Sequence, residues 1–198
     1  MSYLTSNQLE QYEVQGFVSP INIFSNNKAK KIRNEKEFIE KELPGELEKS
    51  GRYNAHLISP LLDEVTHNSK ILDAVESLIG KNILVCGTTL FIKNPSEKGF
   101  VSYHQDAKYI GLKPHNWVTA WVAITDSNKE NGCMRMWSGS HKDNLKEHDQ
   151  KFNEGNLLTR GQTVKNVPLE KTTPIILKAG QMSLHHPTVV HGSEQNKS

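Results

Sequence analysis

Hydrophobic residues among the first 80 positions recur mainly at the spacing of an α-helix. Thr5 and Gln8 fit a capping box, in which two side chains satisfy free backbone amides at a helix start. Ser59 precedes Pro60, and proline favours the first helical turn. A further helix is predicted by apolar residues that stop at Gly80, namely Ile71, Leu72, Val75, Leu78 and Ile79. Residues 1–80 are therefore predicted to form a mostly helical layer.

The stretch from Asn27 to Lys49 carries many Lys and Glu residues around few apolar ones. Its apolar residues are Ile32, Phe38, Ile39 and Leu43. This pattern is typical of an exposed helix that buries one narrow stripe.

After Gly80 the pattern changes to short apolar and β-branched runs separated by turn residues. The longer runs are Ile83–Ile92, Trp117–Ile124 and Thr173–Leu177; the shorter ones are Phe100–Tyr103, Cys133–Trp137 and Met182–Val190. Asn-Pro, Asn-Gly, Ser-Gly and Ala-Gly turn signals lie between them. Many short strands predict a β-sandwich or barrel, here a jelly roll backed by helices. We expect a single domain over residues 1–198, with residues 81–198 forming its mainly β core.

Composition narrows the function classes. The 198 residues include 24 basic and 22 acidic side chains, for a net charge of +2, which gives no reason to expect nucleic acid or an anionic membrane as a partner. Cys86 and Cys133 are too few for a disulfide framework. We find no signal peptide and no apolar run of about 20 residues that could span a bilayer. A cytoplasmic protein acting on a small molecule is expected.

The candidate chemistry begins at His104 and Asp106. Residues i and i+2 of a strand lie on one face, so both side chains can point at one ion. A third ligand would come from the later segment that contains His185, His186 and His191. Two histidines and one carboxylate leave three positions open on iron(II), enough for a bidentate 2-keto acid and dioxygen. An H-x-D pair alone is common without a metal, and a histidine hydrogen-bonded to the aspartate is the simple alternative.

The sequence around these residues resembles the phytanoyl-CoA dioxygenase family. The similar segments, in the family's order, are Tyr103–Ala107, Trp117–Ile124, Glu130–Arg135, Gly139–Lys142 and His191-Gly192-Ser193 followed by Asn196. In the helical half, Tyr12–Val18 and Ile71–Val75 are similar to the family's lead-in. The resemblance therefore covers most of the chain.

This resemblance implies a double-stranded β-helix (a cupin-like jelly roll) that uses iron(II), 2-oxoglutarate and dioxygen. It implies that His104, Asp106 and His191 are the metal ligands, with His185 and His186 outside the ligand set. It also implies that Lys93, Trp121 and Ser193 contact 2-oxoglutarate. Each of these three has a simpler alternative: a strand-end lysine, a core aromatic residue and a turn hydroxyl.

The resemblance also has a gap. In the family an arginine that pairs with the far carboxylate of 2-oxoglutarate lies about one strand beyond the distal histidine, whereas this sequence stops at Ser198. We therefore expect that the final strand and this arginine are missing because the sequence is truncated. A guanidinium fork binds a carboxylate better than a lysine alone does.

Three functional hypotheses follow. The first is an iron(II)- and 2-oxoglutarate-dependent hydroxylase; the Asp106 carboxylate favours hydroxylation over halogenation, since it occupies the position that a halide would need. The others are a catalytically silent binding module on the same fold, and a cupin-type metalloenzyme that does not use 2-oxoglutarate. The segment between Asp106 and Trp117 is expected to form a lid. Its shortness favours a small polar or anionic metabolite over an acyl-CoA as substrate.

Overall fold

The computed structural model describes residues 3–47, 52–143, 145–150, 153–158 and 160–198. Five α-helices are present in this part of the chain: α1 (Ser6–Gln15), α2 (Asn26–Glu42), α3 (Pro60–Thr66), α4 (Ser69–Ile79) and α5 (Ala107–Ile110). Both arms of the Thr5–Gln8 capping box are formed at the start of α1. The Ser59 side chain accepts the Leu62 amide at the start of α3, and Gly80 ends α4. The predicted helix starts and the predicted stop at Gly80 are thus confirmed.

Helix α2 buries only part of the apolar stripe that was predicted for residues 27–49. Ala29, Ile32 and Ile39 are buried, whereas Phe38 is 58% exposed and Leu43 is 49% exposed. The end of the predicted stretch, at residues 48 and 49, lies outside the described residues. None of the helices in the described ranges is long and apolar enough to cross a bilayer.

The β part consists of short antiparallel strands. They are β1 (Phe17–Asn22), β2 (Val101–His104), β3 (Thr119–Val122), β4 (Met134–Trp137), β5 (His148–Asp149), β6 (Thr163–Val164), β7 (Thr172–Pro174), β8 (Gln181–His185) and β9 (His191–Ser193). One sheet has the order β1-β8-β3, a second has the order β2-β9-β4-β7, and β5 pairs with β6. The consecutive strands β8 and β9 therefore lie in different sheets.

Side-chain alternation along β8 separates two apolar clusters. Met182 and Leu184 are fully buried against α1 and α4, in a cluster that also contains Val18, Ile71 and Ala74. The intervening residues of β8 face the second sheet. There Phe17, Met134, Met136, Ile175, Leu177 and Val189 form a second cluster, with Trp121 packed against it. The helices thus cover one face of the first sheet, and the second sheet covers the other.

Two predictions about strands were wrong. The helical layer is interrupted by β1, which pairs with β8 through Phe17, Val18, Ile21 and Asn22. Conversely, the run Ile83–Ile92 forms no strand ladder with any described residue and makes only an isolated bridge between Thr89 and Tyr53. β-branched composition favours extended backbone, but a strand also needs a partner that supplies hydrogen bonds. Several side chains of this run are exposed, and Leu84 is 89% exposed.

Candidate metal centre

Three side chains from two distant parts of the sequence converge at one site. Nε2 of His104 lies 3.2 Å from Oδ1 of Asp106, and Nε2 of His191 lies 3.5 Å from the same oxygen. All three donor atoms fall within 4.8 Å of one another, and His104 and His191 are 4% and 5% exposed. The structure therefore brings together the three residues that the sequence predicted as ligands.

The pairing of β2 with β9 explains why these residues meet. His104, the last residue of β2, lies opposite His191, the first residue of β9. Their ring centroids are 4.2 Å apart. Asp106 follows two residues after His104, just before helix α5 begins at Ala107. A short turn between strand and helix thus brings the carboxylate to the two imidazoles.

Hydrogen bonds fix the orientation of both histidine rings. Nδ1–H of His104 donates to the Ser102 carbonyl oxygen at 2.8 Å, and Nδ1–H of His191 donates to the Val189 carbonyl oxygen at 3.1 Å. A carbonyl oxygen only accepts, so Nδ1 of each ring carries a proton and Nε2 is the nitrogen that faces Asp106. Such backbone contacts are the usual way in which proteins orient metal-ligating histidines.

The second oxygen of Asp106 is held by two further residues. The Thr119 hydroxyl donates to Oδ2 at 2.7 Å, and Nε2–H of His185 donates to the same atom at 3.2 Å. His185 is 1% exposed, and its Nδ1 has no hydrogen-bond partner among the described residues. Oδ2 is thereby occupied, and Oδ1 is the oxygen that faces the two histidines.

The charges of the centre are set by burial and by its neighbours. Burial of the Asp106 carboxylate raises its pKa, but the positive potential of His191 and hydrogen bonds from His104 and His185 outweigh this and hold the pKa well below its usual range. Burial, with repulsion from His104, lowers the pKa of His191 to about 3. Asp106 is therefore ionised and His191 neutral near pH 7.

This donor set fits a divalent metal ion. Two imidazole nitrogens and an ionised carboxylate oxygen face one another within 4.8 Å, and a buried group of this kind is stabilised when it coordinates a cation. Two nitrogens and one oxygen are also the ligand types that suit iron(II) in an open site.

Gln105, between the two predicted ligands, is fully buried and forms hydrogen bonds to two other segments of the chain. Its Nε2 donates to the Thr188 carbonyl oxygen at 2.6 Å, and its Oε1 accepts the Lys146 amide at 2.8 Å. Its own backbone amide donates to Nε2 of His148 at 3.2 Å. Gln105 thus connects the segment of Asp106 to the chain just before His191. Sequence reasoning missed this residue, because its contacts depend on loops that no pattern of periodicity predicts.

The residues predicted to contact 2-oxoglutarate are only partly brought together. The Lys93 ammonium donates to the Ser193 hydroxyl at 3.0 Å, to the Glu194 carbonyl oxygen at 2.6 Å and to the Gly132 carbonyl oxygen. Burial lowers the pKa of Lys93 to about 8. Trp121 lies on β3 of the other sheet, in register with Ser183 of β8. Their contact with a cosubstrate stays a prediction.

The other histidines of the predicted ligand segment and loop have different roles. His186 accepts the Thr188 amide through Nδ1 at 3.2 Å, and its ring lies 5.5 Å from that of His141. His141 in turn reaches the Glu13 carbonyl oxygen at 3.0 Å. Neither belongs to the group of donor atoms around Asp106.

Curated relatives are similar to this chain over part of their length. Human peroxisomal phytanoyl-CoA dioxygenase is 31% identical over 134 residues, which is 65% of this chain and 40% of the human protein. Phytanoyl-CoA dioxygenase of Arabidopsis thaliana is 30% identical over 143 residues, which is 72% of this chain and 50% of the plant protein. The chain thus spans half or less of the length of these two relatives.

Solved structures share the fold. The apo form of the non-haem monooxygenase ThoJ is 30% identical with a TM-score of 0.82, covering 96% of this chain and 71% of ThoJ. Its nickel complex is 29% identical with a TM-score of 0.77 and the same coverage. The non-haem α-ketoglutarate-dependent carbocyclase SnoK, from nogalamycin biosynthesis, is 23% identical with a TM-score of 0.77, covering 100% of this chain and 81% of SnoK. At that identity SnoK supports the fold alone.

The model of the phytanoyl-CoA dioxygenase (PhyH) family matches residues 12–198, nearly the whole chain. The match includes every residue of the candidate metal centre and confirms the resemblance seen in the sequence. This chain belongs to the phytanoyl-CoA dioxygenase family.

Proposed function

We propose that this chain is an iron(II)- and 2-oxoglutarate-dependent dioxygenase, on a double-stranded β-helix, that hydroxylates a carbon atom of a small polar or anionic metabolite. The metal ligands in this proposal are His104, Asp106 and His191. The observation that carries it is the arrangement of two imidazole nitrogens and one carboxylate oxygen within 4.8 Å. Membership of the family and the likeness to ThoJ, a non-haem monooxygenase, support it.

Iron bound here would chelate 2-oxoglutarate and activate dioxygen in the positions that the protein leaves open. The chain's own residues supply geometry. Ser102 and Val189 hold the two imidazoles with Nε2 directed inward. Thr119 and His185 occupy Oδ2 of Asp106, so that the carboxylate offers a single oxygen and leaves coordination space free. The apolar cluster between the sheets keeps bulk water from the buried side of the centre.

In this proposal Lys93, Ser193 and Trp121 form the 2-oxoglutarate site. Ser193 lies two residues after His191 on β9, so both side chains share one face of the strand. Lys93 adds a positive charge beside the Ser193 hydroxyl, which favours a carboxylate there. The Lys93 ammonium already donates to two carbonyl oxygens, so its contribution is mainly electrostatic and positional.

The test of the proposed function is an anaerobic titration with iron(II), with and without 2-oxoglutarate. Formation of the chelate gives a visible charge-transfer band. We expect this band in the wild-type protein and its loss in His104→Ala and in His191→Ala. His67→Ala, at a histidine with a 70% exposed side chain near α3, is the matched control and should keep the band.

The other outcomes separate the alternative hypotheses. Binding of the metal without the band would favour a metalloenzyme that does not use 2-oxoglutarate. Absence of metal binding would favour a silent binding module. The substrate class is tested by product analysis: turnover of an acyl-CoA in preference to small acids would refute a small-metabolite substrate.

A further inference from the structure

Tyr109 lies directly beside one of the proposed metal ligands. It is carried by α5, three residues after Asp106, and its ring meets the His104 ring edge-on, with centroids 5.6 Å apart and an interplanar angle of 86°. The ring is partly exposed, whereas its hydroxyl oxygen is buried. One side of Tyr109 thus borders the metal centre and another is open to solvent.

Arg160 covers this tyrosine. Its guanidinium carbon lies 6.0 Å from the centre of the Tyr109 ring, within the range of a cation–π contact. The arginine is exposed, and no described carboxylate lies within ion-pair distance of it. The guanidinium is therefore held close to the metal centre while its hydrogen-bond donors remain available.

A second exposed cation, Lys108, precedes Tyr109 on α5, and no described carboxylate lies within ion-pair distance of it.

Two acidic side chains later in the chain are paired with lysines: Asp143 with Lys146 at 2.8 Å, and Asp149 with Lys165 at 3.4 Å. The Asp106 carboxylate faces His104 and His191. Arg160 is therefore an unpaired cation near His104, and an unpaired guanidinium close to a reactive centre favours an anionic molecule there.

We propose that Arg160, seated over Tyr109, binds an oxyanion of the substrate, a carboxylate or a phosphonate, and so orients the substrate from the His104 side of the metal. This inference rests on the proposed function and narrows its substrate class from polar or anionic to anionic. A guanidinium fork can donate to both oxygens of such a group at once, which fixes direction as well as position. Tyr109 is a positioning residue in this arrangement, since it holds the arginine in place.

The first test measures binding to the metal-free protein, so that it does not depend on iron chemistry. The probes are propionate, methylphosphonate and the neutral propionamide, followed by ligand-observed NMR. We expect both anions to bind more tightly than propionamide, and Arg160→Gln to weaken them about 10-fold, as loss of one charge-assisted contact does. Arg33→Gln removes the same charge on α2, and anion binding should be unchanged in that variant.

Equal binding of the anions by wild-type protein and Arg160→Gln would overturn the inference, as would propionamide binding as tightly as propionate. In that case Arg160 only covers the tyrosine ring. Arg160→Lys keeps the charge but removes the planar fork, so an intermediate affinity is expected. The stronger of the two anionic probes identifies the preferred oxyanion.

The second test uses turnover and separates this inference from the proposed function. In the iron-loaded protein we expect small acids to stimulate 2-oxoglutarate consumption more than their amides do. Arg160→Gln should lose this stimulation, whereas the control Arg33→Gln should keep it. A missing charge-transfer band in wild-type protein would count against the proposed function. A normal band with stimulation unchanged in Arg160→Gln would count against the role of Arg160 alone.

Discussion

Thr119 and Asp106 are joined by a 2.7 Å hydrogen bond, in which the threonine hydroxyl donates to Oδ2 of the carboxylate. The two residues belong to different parts of the sandwich: Thr119 begins β3 of the first sheet, and Asp106 follows β2 of the second. A residue of one sheet thus sets the rotation of a proposed ligand on the other. The orientation of the carboxylate therefore depends on how the two sheets pack.

Thr119→Val should weaken metal binding about 10-fold or more, the usual effect of removing a hydrogen bond that orients a ligand. Valine keeps the shape of the side chain, so the fold should be retained. The affinity can be measured by competition with a chelator. Thr173→Val, at an exposed position of β7, is the control, and equal losses in both variants would contradict the assigned role of Thr119.

Metal binding should stabilise the protein. The donor groups are assembled only in the folded state, so a free metal concentration 100-fold above Kd should raise the free energy of unfolding by about 2.7 kcal/mol. Urea unfolding with and without iron(II) under anaerobic conditions measures this. The gain should vanish in His191→Ala, and a gain that persists there would place the metal elsewhere.

Gln105→Ala should destabilise the protein by about 2–4 kcal/mol, because it leaves the Lys146 amide and the Thr188 carbonyl oxygen without their partner and opens a cavity. Urea unfolding measures the loss. The exposed Gln150→Ala is the matched control and should change stability little. An unchanged free energy of unfolding in Gln105→Ala would mean that these contacts are replaced by water.

Gly192→Ala should disturb the contact between β9 and β2. An added Cβ would lie 2.9 Å from the Val101 carbonyl oxygen and 3.0 Å from the Tyr103 amide nitrogen, closer than the backbone tolerates. We expect a loss of about 1–3 kcal/mol in stability, typical of overpacking, together with weaker metal binding. In the control Gly99→Ala, the new Cβ would be 3.6 Å from a Leu157 methyl group, an ordinary contact. Equal losses of stability in Gly192→Ala and Gly99→Ala would contradict the steric role of Gly192.

Acid should destabilise the metal-free protein through His186. Burial, with repulsion from His141, His115 and His185, lowers the pKa of His186 from 6.5 to about 4. Between these two values the unfolded chain binds a proton that the folded chain does not, so the free energy of unfolding decreases as the pH falls from 6.5 to 4. Urea denaturation at several pH values should show that the free energy of unfolding depends less steeply on pH in His186→Gln than in wild-type protein. The exposed His67→Gln should leave the dependence as in wild-type protein.

The sequence predicts those parts of the metal site whose residues lie close together along the chain, and it does not predict the parts that depend on pairing between distant strands. The prediction that His104 and Asp106 face one ion rested on both lying on one strand; the structure brings their donor atoms to 3.2 Å, but through the turn into α5, because β2 ends at His104. The residues alone could not choose among the later histidines, since that choice depends on which strand pairs with β2. The role of His185 in particular follows from its register opposite Thr119, which no local pattern encodes.

The two errors in the predicted fold also concern strand pairing, which local sequence does not encode. Strand β1 was hidden inside a helical lead-in, although Gly16, with a φ of 84°, ends α1 and buried Ile21 and Ile23 follow at a spacing of two. That break and alternation were the available signal. The opposite error, at Ile83–Ile92, arose because composition describes the preference of a segment and says nothing of its partner.

The chain passes from His185 in one sheet to His191 in the other. A metal ion bound at the centre would therefore link the two sheets. An ion held there would join the ends of β2 and β9 to a carboxylate that β3 and β8 hold from the opposite sheet. Opening of the two layers, which admits proteases, would then require release of the ion. Resistance to digestion should therefore rise with occupancy, even at cleavage points far from the ion.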